Sequence, residues 1–403
     1  MSKKKNKKWI RKRHSFYTHL VGLFLGPYTR LKYGVKIEKF KKKGQYLVLF
    51  NHQTAFDQFF VGISFGKPIY YIASEDLFSN GFVSKIIKHL VAPIPIKKQT
   101  TDVRAVLNCI KVAREGGTIA LAPEGNRTYS GKTEYMNPAI VPLVKKLGLP
   151  LVLYRIEGGY GVHPRWSDVV RGGGMRAYVC RVVEKEEYSS LTDDELMTLI
   201  REGLWVDEAN GDKCYPHKKR AEYLERALYV CPYCGLSEFE SRGDTVECKK
   251  CKRKITYGEN TELKGVGFDF PFRFVADWYE YQSNYVNSLD TLSMTEEPIY
   301  RDTARLSEVI VYKKKELIHE KVELALYGDR ITITPGPECG ETLNLSDVTA
   351  FTVLGRNKLN IYAGDHIYQI KGDKRFCALK YVNLFYRTRH LEKGELENEF
   401  LGL

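Results

Sequence analysis

Short apolar runs bounded by turn residues recur along the first part of the chain, and each predicts a buried strand. They fall at 46–50, at 94–97 (ending in positive charge), at 118–121 and at 149–153. Residues 101–116 place Val103, Val106, Leu107, Ile110 and Ala113 at helical spacing, which predicts a helix covering the sheet. A second helix is expected over 192–206, with Thr192 as its cap and Asp193, Asp194 and Glu195 in its first turn. A third is expected over 216–229. An aromatic-rich stretch follows at 268–292, with a helix near 276–289. From 308 onward short alternating runs predict strands at 309–312, 322–326, 330–333, 358–362 and 366–370, with turns such as Tyr327-Gly328-Asp329 between them. The closing stretch, 376–389, reads as an amphipathic helix with Leu379, Val382 and Phe385 on one face.

Candidate chemistry sits where two of these strands end. After 46–50 comes Asn51-His52-Gln53-Thr54-Ala55-Phe56-Asp57. Asn51 is a good capping residue, so a strand-to-helix turn is expected, with His52 in the turn and Asp57 one turn into the helix. A carboxylate against one imidazole nitrogen fixes the tautomer and leaves the other as a general base. The segment has no evident serine or cysteine nucleophile, so the simplest chemistry is activation of a hydroxyl on a bound substrate. After 118–121 comes Ala122-Pro123-Glu124-Gly125-Asn126-Arg127-Thr128. Gly125 permits close backbone approach to a ligand, and Arg127 offers the planar fork that matches phosphate. Lys97 and Lys98 add two positive charges after the 94–96 run. Taken singly, Glu124 and Arg127 read as a local salt bridge, and Lys97 and Lys98 as a solvated strand end.

Taken together, and in this order, the three segments resemble the signature blocks of the glycerolipid acyltransferase family, whose best-known members are the 1-acylglycerol-3-phosphate acyltransferases. Asn51, His52 and Asp57 match the first block, 94–97 the second and 122–128 the third. The third block carries Ala122, Asn126 and Thr128 where the family more often has Phe, Thr and Ser. Lys97 stands where arginine is usual, and a lysine is a point charge rather than a bidentate fork. A fourth block corresponds to Pro142 or to 149–153. The resemblance covers roughly 30–185. It implies an α/β domain in which His52, polarised by Asp57, deprotonates an acceptor hydroxyl that attacks the thioester of acyl-CoA or acyl-carrier protein. Arg127 with Lys97 or Lys98 would hold the acceptor phosphate. Glu124, Gly125, Asn126 and Thr128 would shape the rest of the acceptor site.

Charge adds a location. Residues 1–43 hold fifteen Lys or Arg against one acid, which accounts for the whole formal net charge of +14. The arm encloses an apolar stretch at 16–25 before Gly26-Pro27, about half the roughly twenty residues a spanning helix needs. No small-residue cleavage site follows it. The expectation is an interfacial helix on an anionic membrane, placing the protein peripherally on the cytoplasmic side. A basic tail alone would suit nucleic acid equally, but an enzyme of acyl chains favours the membrane.

Cys231-Pro232-Tyr233-Cys234 and Cys248-Lys249-Lys250-Cys251 form two C-x2-C knuckles. Four thiolates at this spacing suit a structural zinc ion in a small β ribbon, with no open position for catalysis. Two disulfides or a redox pair are the alternatives, and the other five cysteines, scattered without pattern in a chain lacking a clear secretory signal, fit neither.

The expected organisation is therefore multidomain: a basic arm at 1–28, the α/β acyltransferase domain at 29–187, a helical linker at 188–229, the zinc ribbon at 230–258 and an α+β domain at 268–403. In that last domain strands followed by one helix look like a pleckstrin-homology-type barrel. The expected activity is acyl transfer to 1-acylglycerol-3-phosphate, giving phosphatidic acid in phospholipid synthesis. Another lyso-lipid acceptor and a non-catalytic lipid-binding adaptor are the competing readings.

Overall fold

A computed structural model describes residues 8–79, 81–96, 102–208, 211–310, 315–336 and 339–402. Two compact units divide the chain. The first comprises Met1–Thr128, Lys132–Val162 and Gly174–Glu208, and the second Tyr129–Gly131, His163–Gly173 and Ala209–Leu403.

The first unit is built on α1 (Lys12–Tyr33), β1 (Val35–Ile37), β2 (Leu47–Phe50), α2 (Asp57–Phe65), β3 (Ile69–Ser74), α3 (Phe82–Leu90), β4 (Ile94–Ile96), α4 (Val103–Arg114), β5 (Thr118–Leu121), α5 (Ile140–Leu147), β6 (Leu151–Glu157), α6 (Gly159–Val162), β7 (Met175–Val183), α7 (Lys185–Ser189) and α8 (Asp193–Leu204). The strands form one sheet in the order β1-β7-β6-β2-β5-β3-β4. β6 and β7 pair antiparallel; the other neighbours are parallel. The central strand β2 is apolar at every position because both faces of the sheet are covered. Leu47, Leu49, Ile119, Leu151 and Leu153 face a core shared with Cys109 and Val112 of α4, Val141 and Val144 of α5, and Ile200 and Leu204 of α8. The alternate residues Val48, Ala120, Val152 and Tyr154 are equally buried and point to the other face. There the Tyr154 hydroxyl donates to the Phe60 carbonyl of α2. The α8 helix opens with a full capping box, in which Thr192 and Glu195 satisfy each other's backbone N–H.

The arm departs from expectation. Instead of stopping before Gly26-Pro27, α1 runs for 22 residues with Pro27 inside it. An internal proline costs a helix roughly 3 kcal/mol, and packing at both ends offsets that cost. His14 is buried against Tyr70, while Tyr33 packs on Phe56 and Phe60. Ahead of the helix, the Trp9 and Ile10 N–H groups both donate to the Glu115 carboxylate, and the Trp9 indole donates to the Ala92 carbonyl. The chain from Trp9 onward is thus tied to the sheet domain. Among the described residues, no helix is long and apolar enough to cross a membrane.

The second unit contains the hairpin β8 (Val230–Cys231) and β9 (Gly235–Leu236), then the antiparallel meander β10 (Phe239–Arg242), β11 (Thr245–Cys248), β12 (Lys254–Tyr257) and β13 (Leu263–Gly265). After α9 (Val275–Ser288) come β14 (Tyr300–Glu308), β15 (Glu316–Leu326), β16 (Arg330–Gly336), β17 (Cys339–Asn344), β18 (Val348–Leu354), β19 (Lys358–Ala363), β20 (His366–Gly372) and α10 (Ala378–Lys393). These seven strands make an antiparallel sheet in the order β17-β16-β15-β14-β20-β19-β18, two meanders joined through β14 and β20. The helix α10 lies on it, with Phe385 stacked on Phe351 at 4.4 Å between ring centroids.

Three expectations fail in this unit. The helix expected over 216–229 is a single 3₁₀ turn, Leu224–Arg226. Tyr223 sits at φ +75°, which no helix accommodates. The buried Arg226 is drawn instead into an ion pair with Asp168 at 2.7 Å and bonds to the Trp166 and Lys374 carbonyls. The strand expected at 309–312 is not one at Val309 and Ile310, and residues 311–312 lie outside the described residues. The last helix is buried almost all round rather than on one face. Its polar side chains have specific partners: Lys380 meets Asp302 at 2.7 Å, Asn383 accepts from the Tyr229 hydroxyl, and Arg387 donates to the Leu289 carbonyl. The aromatic stretch before it packs around the fully buried Trp278, whose indole N–H reaches the Val230 carbonyl.

Candidate active site

The carboxyl ends of β2 and β5 lie side by side in the parallel part of the sheet, the edge where open α/β sheets bind ligands. The chain leaves β2 through Asn51, which does not cap a helix as expected. Its side-chain amide instead pairs both ways with the backbone of Ile156 on β6, accepting from the N–H at 2.7 Å and donating to the carbonyl at 2.8 Å. This two-point bridge extends the β2–β6 ladder by one residue and fixes the direction in which the next residue departs.

That residue is His52. Its Nδ1 lies 2.8 Å from Asp57 Oδ2. Asp57 is the first residue of α2 rather than one turn inside it, and it is wholly buried. The carboxylate also accepts from the Gln53 and Thr54 N–H groups and from the Thr54 hydroxyl at 2.7 Å. Four donors on one buried carboxylate hold it rigidly and offset the cost of burying the charge. The turn is backed by α6, where Gly159 admits no side chain: a Cβ there would lie 2.5 Å from the Gln53 Cβ. The Tyr160 N–H donates to the Gln53 side chain.

From β5 the chain enters the 122–128 loop, in which Gly125 takes φ +69° with open space where a side chain would project. Glu124 is buried and commits both oxygens to backbone. Oε1 accepts from the His52 N–H at 2.7 Å and Oε2 from the Glu134 N–H at 3.1 Å. The Thr128 N–H in turn donates to the His52 carbonyl at 3.2 Å, and its hydroxyl to Glu134. Both backbone groups of His52 are therefore held by the loop of the third block. Burial pushes the Glu124 carboxyl up to about 8, with Glu134 and Asp57 as like-charged neighbours, against the pull of the two N–H donors. Asn126 is buried on the same loop and Arg127 is half-buried. Lys97 and Lys98 lie outside the described residues; β4, which leads to them, ends at Ile96.

The structure thus brings His52, Asp57, Glu124 and Thr128 into one bonded network and carries Gly125, Asn126 and Arg127 on the same loop. Sequence reasoning missed the bridging role of Asn51, the donors Gln53 and Thr54, and Glu134. It also missed the close approach at Gly159, for which the Gly158-Gly159 pair after an apolar strand was the available signal.

In the second unit the Sγ atoms of Cys231, Cys234, Cys248 and Cys251 all lie within 4.8 Å of one another. Cys231 and Cys251 are 3.8 Å apart, too far for a disulfide and close to the edge of about 3.8 Å that four Zn–S bonds of ~2.3 Å impose on a tetrahedron.

Because Glu124 takes up its proton at a higher pH when folded (about 8) than at its ordinary value of 4.5, the folded state holds more protons in that window. Its contribution to stability is complete below the lower value and is lost as pH rises through the higher one. Glu124→Gln should therefore unfold at a lower temperature than wild type but with a flatter fall in Tm between about pH 5 and about pH 8. An unchanged slope would assign the pH dependence elsewhere.

Residues 33–156 match the family described as Acyltransferase. Over 183 residues the chain is 25% identical to the 1-acyl-sn-glycerol-3-phosphate acyltransferase of Borreliella burgdorferi, spanning 42% of this chain and 71% of that protein. Over 160 residues it is 22% identical to the chloroplastic 1-acyl-sn-glycerol-3-phosphate acyltransferase BAT2 of Brassica napus, spanning 38% of this chain and 45% of that one. The crystal structure of the LPA acyltransferase PlsC from Thermotoga maritima aligns with a TM-score of 0.36 and 20% identity, over 47% of this chain and 91% of that one. The similarity thus falls on residues 33–156, and the matches support reading the protein as an O-acyltransferase.

Proposed function

We propose that the protein transfers a fatty acyl group from a thioester donor, acyl-CoA or acyl-carrier protein, to the free hydroxyl of 1-acylglycerol-3-phosphate. The observation that carries this reading is the His52–Asp57 pair at 2.8 Å, bonded through backbone to the Glu124–Thr128 loop at the carboxyl edge of the sheet. With Nδ1 turned to Asp57, Nε2 takes the hydroxyl proton. The oxygen attacks the thioester carbon, the C–S bond breaks, and the departing thiolate takes the proton back from His52. Asp57 holds the tautomer and stabilises the imidazolium between the two transfers. Arg127 binds the acceptor phosphate, with Lys97 or Lys98 as the second cation. Glu124 supports the site from below, since its oxygens are committed to backbone.

The site works at an anionic membrane surface, on its cytoplasmic side. Supporting this, α1 exposes Phe16, Leu20, Leu23, Phe24 and Leu31, a single stripe at helical spacing. Lys12 and Arg13 precede that stripe, and Arg30 and Lys32 flank its end. The α3 helix, in ring contact with α1 through Tyr17 and His89, exposes Phe82 and Ile86.

The four-cysteine cluster is a structural zinc ribbon, a reading supported by the clustering of its four sulfurs within 4.8 Å and the 3.8 Å between Cys231 and Cys251. The seven-stranded sheet with its closing helix is a pleckstrin-homology-like module, supported by the two-meander topology.

Four measurements test these assignments. His52→Ala should lower kcat for transfer to 1-acylglycerol-3-phosphate by roughly 10²–10⁴-fold, and full activity in a folded preparation would end the catalytic reading. A panel of lyso-lipids assayed beside it identifies the acceptor. Purified protein should contain one zinc per chain by elemental analysis, and Cys248→Ser should lose it; metal-free wild type would defeat the ribbon. Binding to vesicles containing anionic lipid should fall by about ten-fold or more on Leu23→Asp with Phe24→Asp, and equal flotation of variant and wild type would reject the α1 stripe as the contact.

A further inference from the structure

Beside the cysteine knuckles, the second unit carries a surface that its own packing leaves uncovered. After β13 the chain runs Val266-Gly267-Phe268-Asp269-Phe270-Pro271-Phe272. Two of these rings turn inward: Phe270 and Phe272 lie 4.9 Å and 6.3 Å from the buried Trp278 between centroids. The tip of the loop turns outward. Val266 is 53% exposed, and so is 43% of Tyr233 in the first knuckle. The half-buried Phe268 packs on Tyr233 at 5.9 Å, and the Arg253 guanidinium lies 4.2 Å from the Tyr233 centroid and 5.8 Å from that of Phe268. The Val266 N–H donates to the Lys254 carbonyl at 2.9 Å, which ties the tip to the end of the second knuckle. Residues 249–254 of that knuckle read Lys-Lys-Cys-Lys-Arg-Lys. Lys249 and Lys254 are committed to Glu238 and Glu247. Among the described residues, no carboxylate pairs with Lys250, Lys252 or Arg253, and Lys250 reaches the Cys234 carbonyl at 3.5 Å. Asp269 is the one acid of the loop, and nearby Glu262 is taken up by Arg273 at 2.6 Å.

We propose that this face is a docking surface for anionic lipid, built by the second unit alone. An exposed aliphatic tip, half-exposed aromatic rings and cations without carboxylate partners together match a bilayer interface, where acyl chains meet phosphate head groups. Val266 and Phe268 enter the edge of the acyl layer, Tyr233 lies at head-group level, and Lys250, Lys252 and Arg253 meet lipid phosphate. Single-stranded nucleic acid also seeks cations and rings, but it stacks successive bases on open ring faces. Here the row Tyr233, Phe268, Phe270 and Phe272 packs edge to face, at interplanar angles of 79°, 85° and 86°. Arg253 already covers one face of Tyr233, and an aliphatic tip gives a base nothing to stack on. Edges and an apolar tip suit lipid. The face shares no residue with α1, and its assignment rests on none of the catalytic roles proposed above.

The test is flotation of the full chain with vesicles of phosphatidylcholine plus phosphatidylglycerol, and with vesicles of phosphatidylcholine alone. Lys250→Glu with Lys252→Glu should lower partition onto the phosphatidylglycerol vesicles by about ten-fold or more, since each surface lysine contributes about five-fold. Its partition onto phosphatidylcholine alone should stay within about two-fold of wild type. Val266→Trp, at a position already exposed, should be quenched by lipid brominated along its acyl chains beyond the quenching of wild type, which a purely electrostatic contact does not produce. A Tm equal to wild type marks each variant as folded; should the double lysine variant fail this, Lys252→Glu alone replaces it, with a fall of about five-fold expected. Flotation of the lysine variant equal to wild type overturns the inference, as does a Val266→Trp without added quenching or a wild type that does not float. Retention of single-stranded RNA by wild type, lost in the lysine variant while its flotation is unchanged, overturns it in favour of nucleic acid. The α1 contact is judged separately by Leu23→Asp with Phe24→Asp, so either surface can fail without the other.

Discussion

A carboxylate with no access to water has to find its hydrogen bonds inside the protein, and Asp57 is that carboxylate here. It takes donors from Gln53, Thr54 twice, and His52, and those demands define the whole 52–57 turn. Removing a partner from such a group leaves a buried charge uncompensated, at a cost of roughly 3–5 kcal/mol. The chain therefore has essentially one way to leave β2, and the imidazole is held by the same geometry that satisfies the carboxylate.

That turn could not exist on an isolated strand. It depends on β2 lying between β5 and β6, so that Asn51 can bridge to Ile156 on one side and Glu124 can receive the His52 N–H on the other. The parallel arrangement brings the ends of two strands seventy residues apart in sequence to one edge. Each then contributes a loop whose backbone is completed by the other. Glu124 illustrates the price of this arrangement, since its carboxyl is pushed up to about 8 by burial while it organises two loops. A carboxyl in such an environment is poised to hold structure rather than to meet a substrate.

The second unit follows a different logic. Its cysteine hairpins, its aromatic segment and its sheet share few long apolar runs, and polar side chains with specific partners link them. The Tyr300 hydroxyl donates to the Tyr229 and Ser237 carbonyls beside the first knuckle. Gln282 of α9 receives the Tyr229 N–H and donates to the Ala227 carbonyl. These bonds explain why Pro216–Tyr229 abandons the helix its composition favours: its end, 224–229, is a buried strap with Arg226 as its anchor.

What could be read from the sequence was whatever local chemistry dictates. The strand runs at 46–50 and 118–121, the cap at Thr192, the cysteine spacing and the paired blocks around His52 and Glu124 all depend on neighbours within a few residues. Residues that act across long distances were not legible: Asn51 as a bridge to a residue 105 positions away, Glu124 as a backbone acceptor, α1 continuing through Pro27, and Tyr129 belonging to the second unit. In each case local propensity amounts to about 1–3 kcal/mol, while a buried unpaired polar group or an unfilled packing site costs as much or more. Propensity and motif spacing thus determined most of the elements and the candidate chemistry this chain carries. The tertiary structure decided how they meet, because only there do buried donors and acceptors have to be matched.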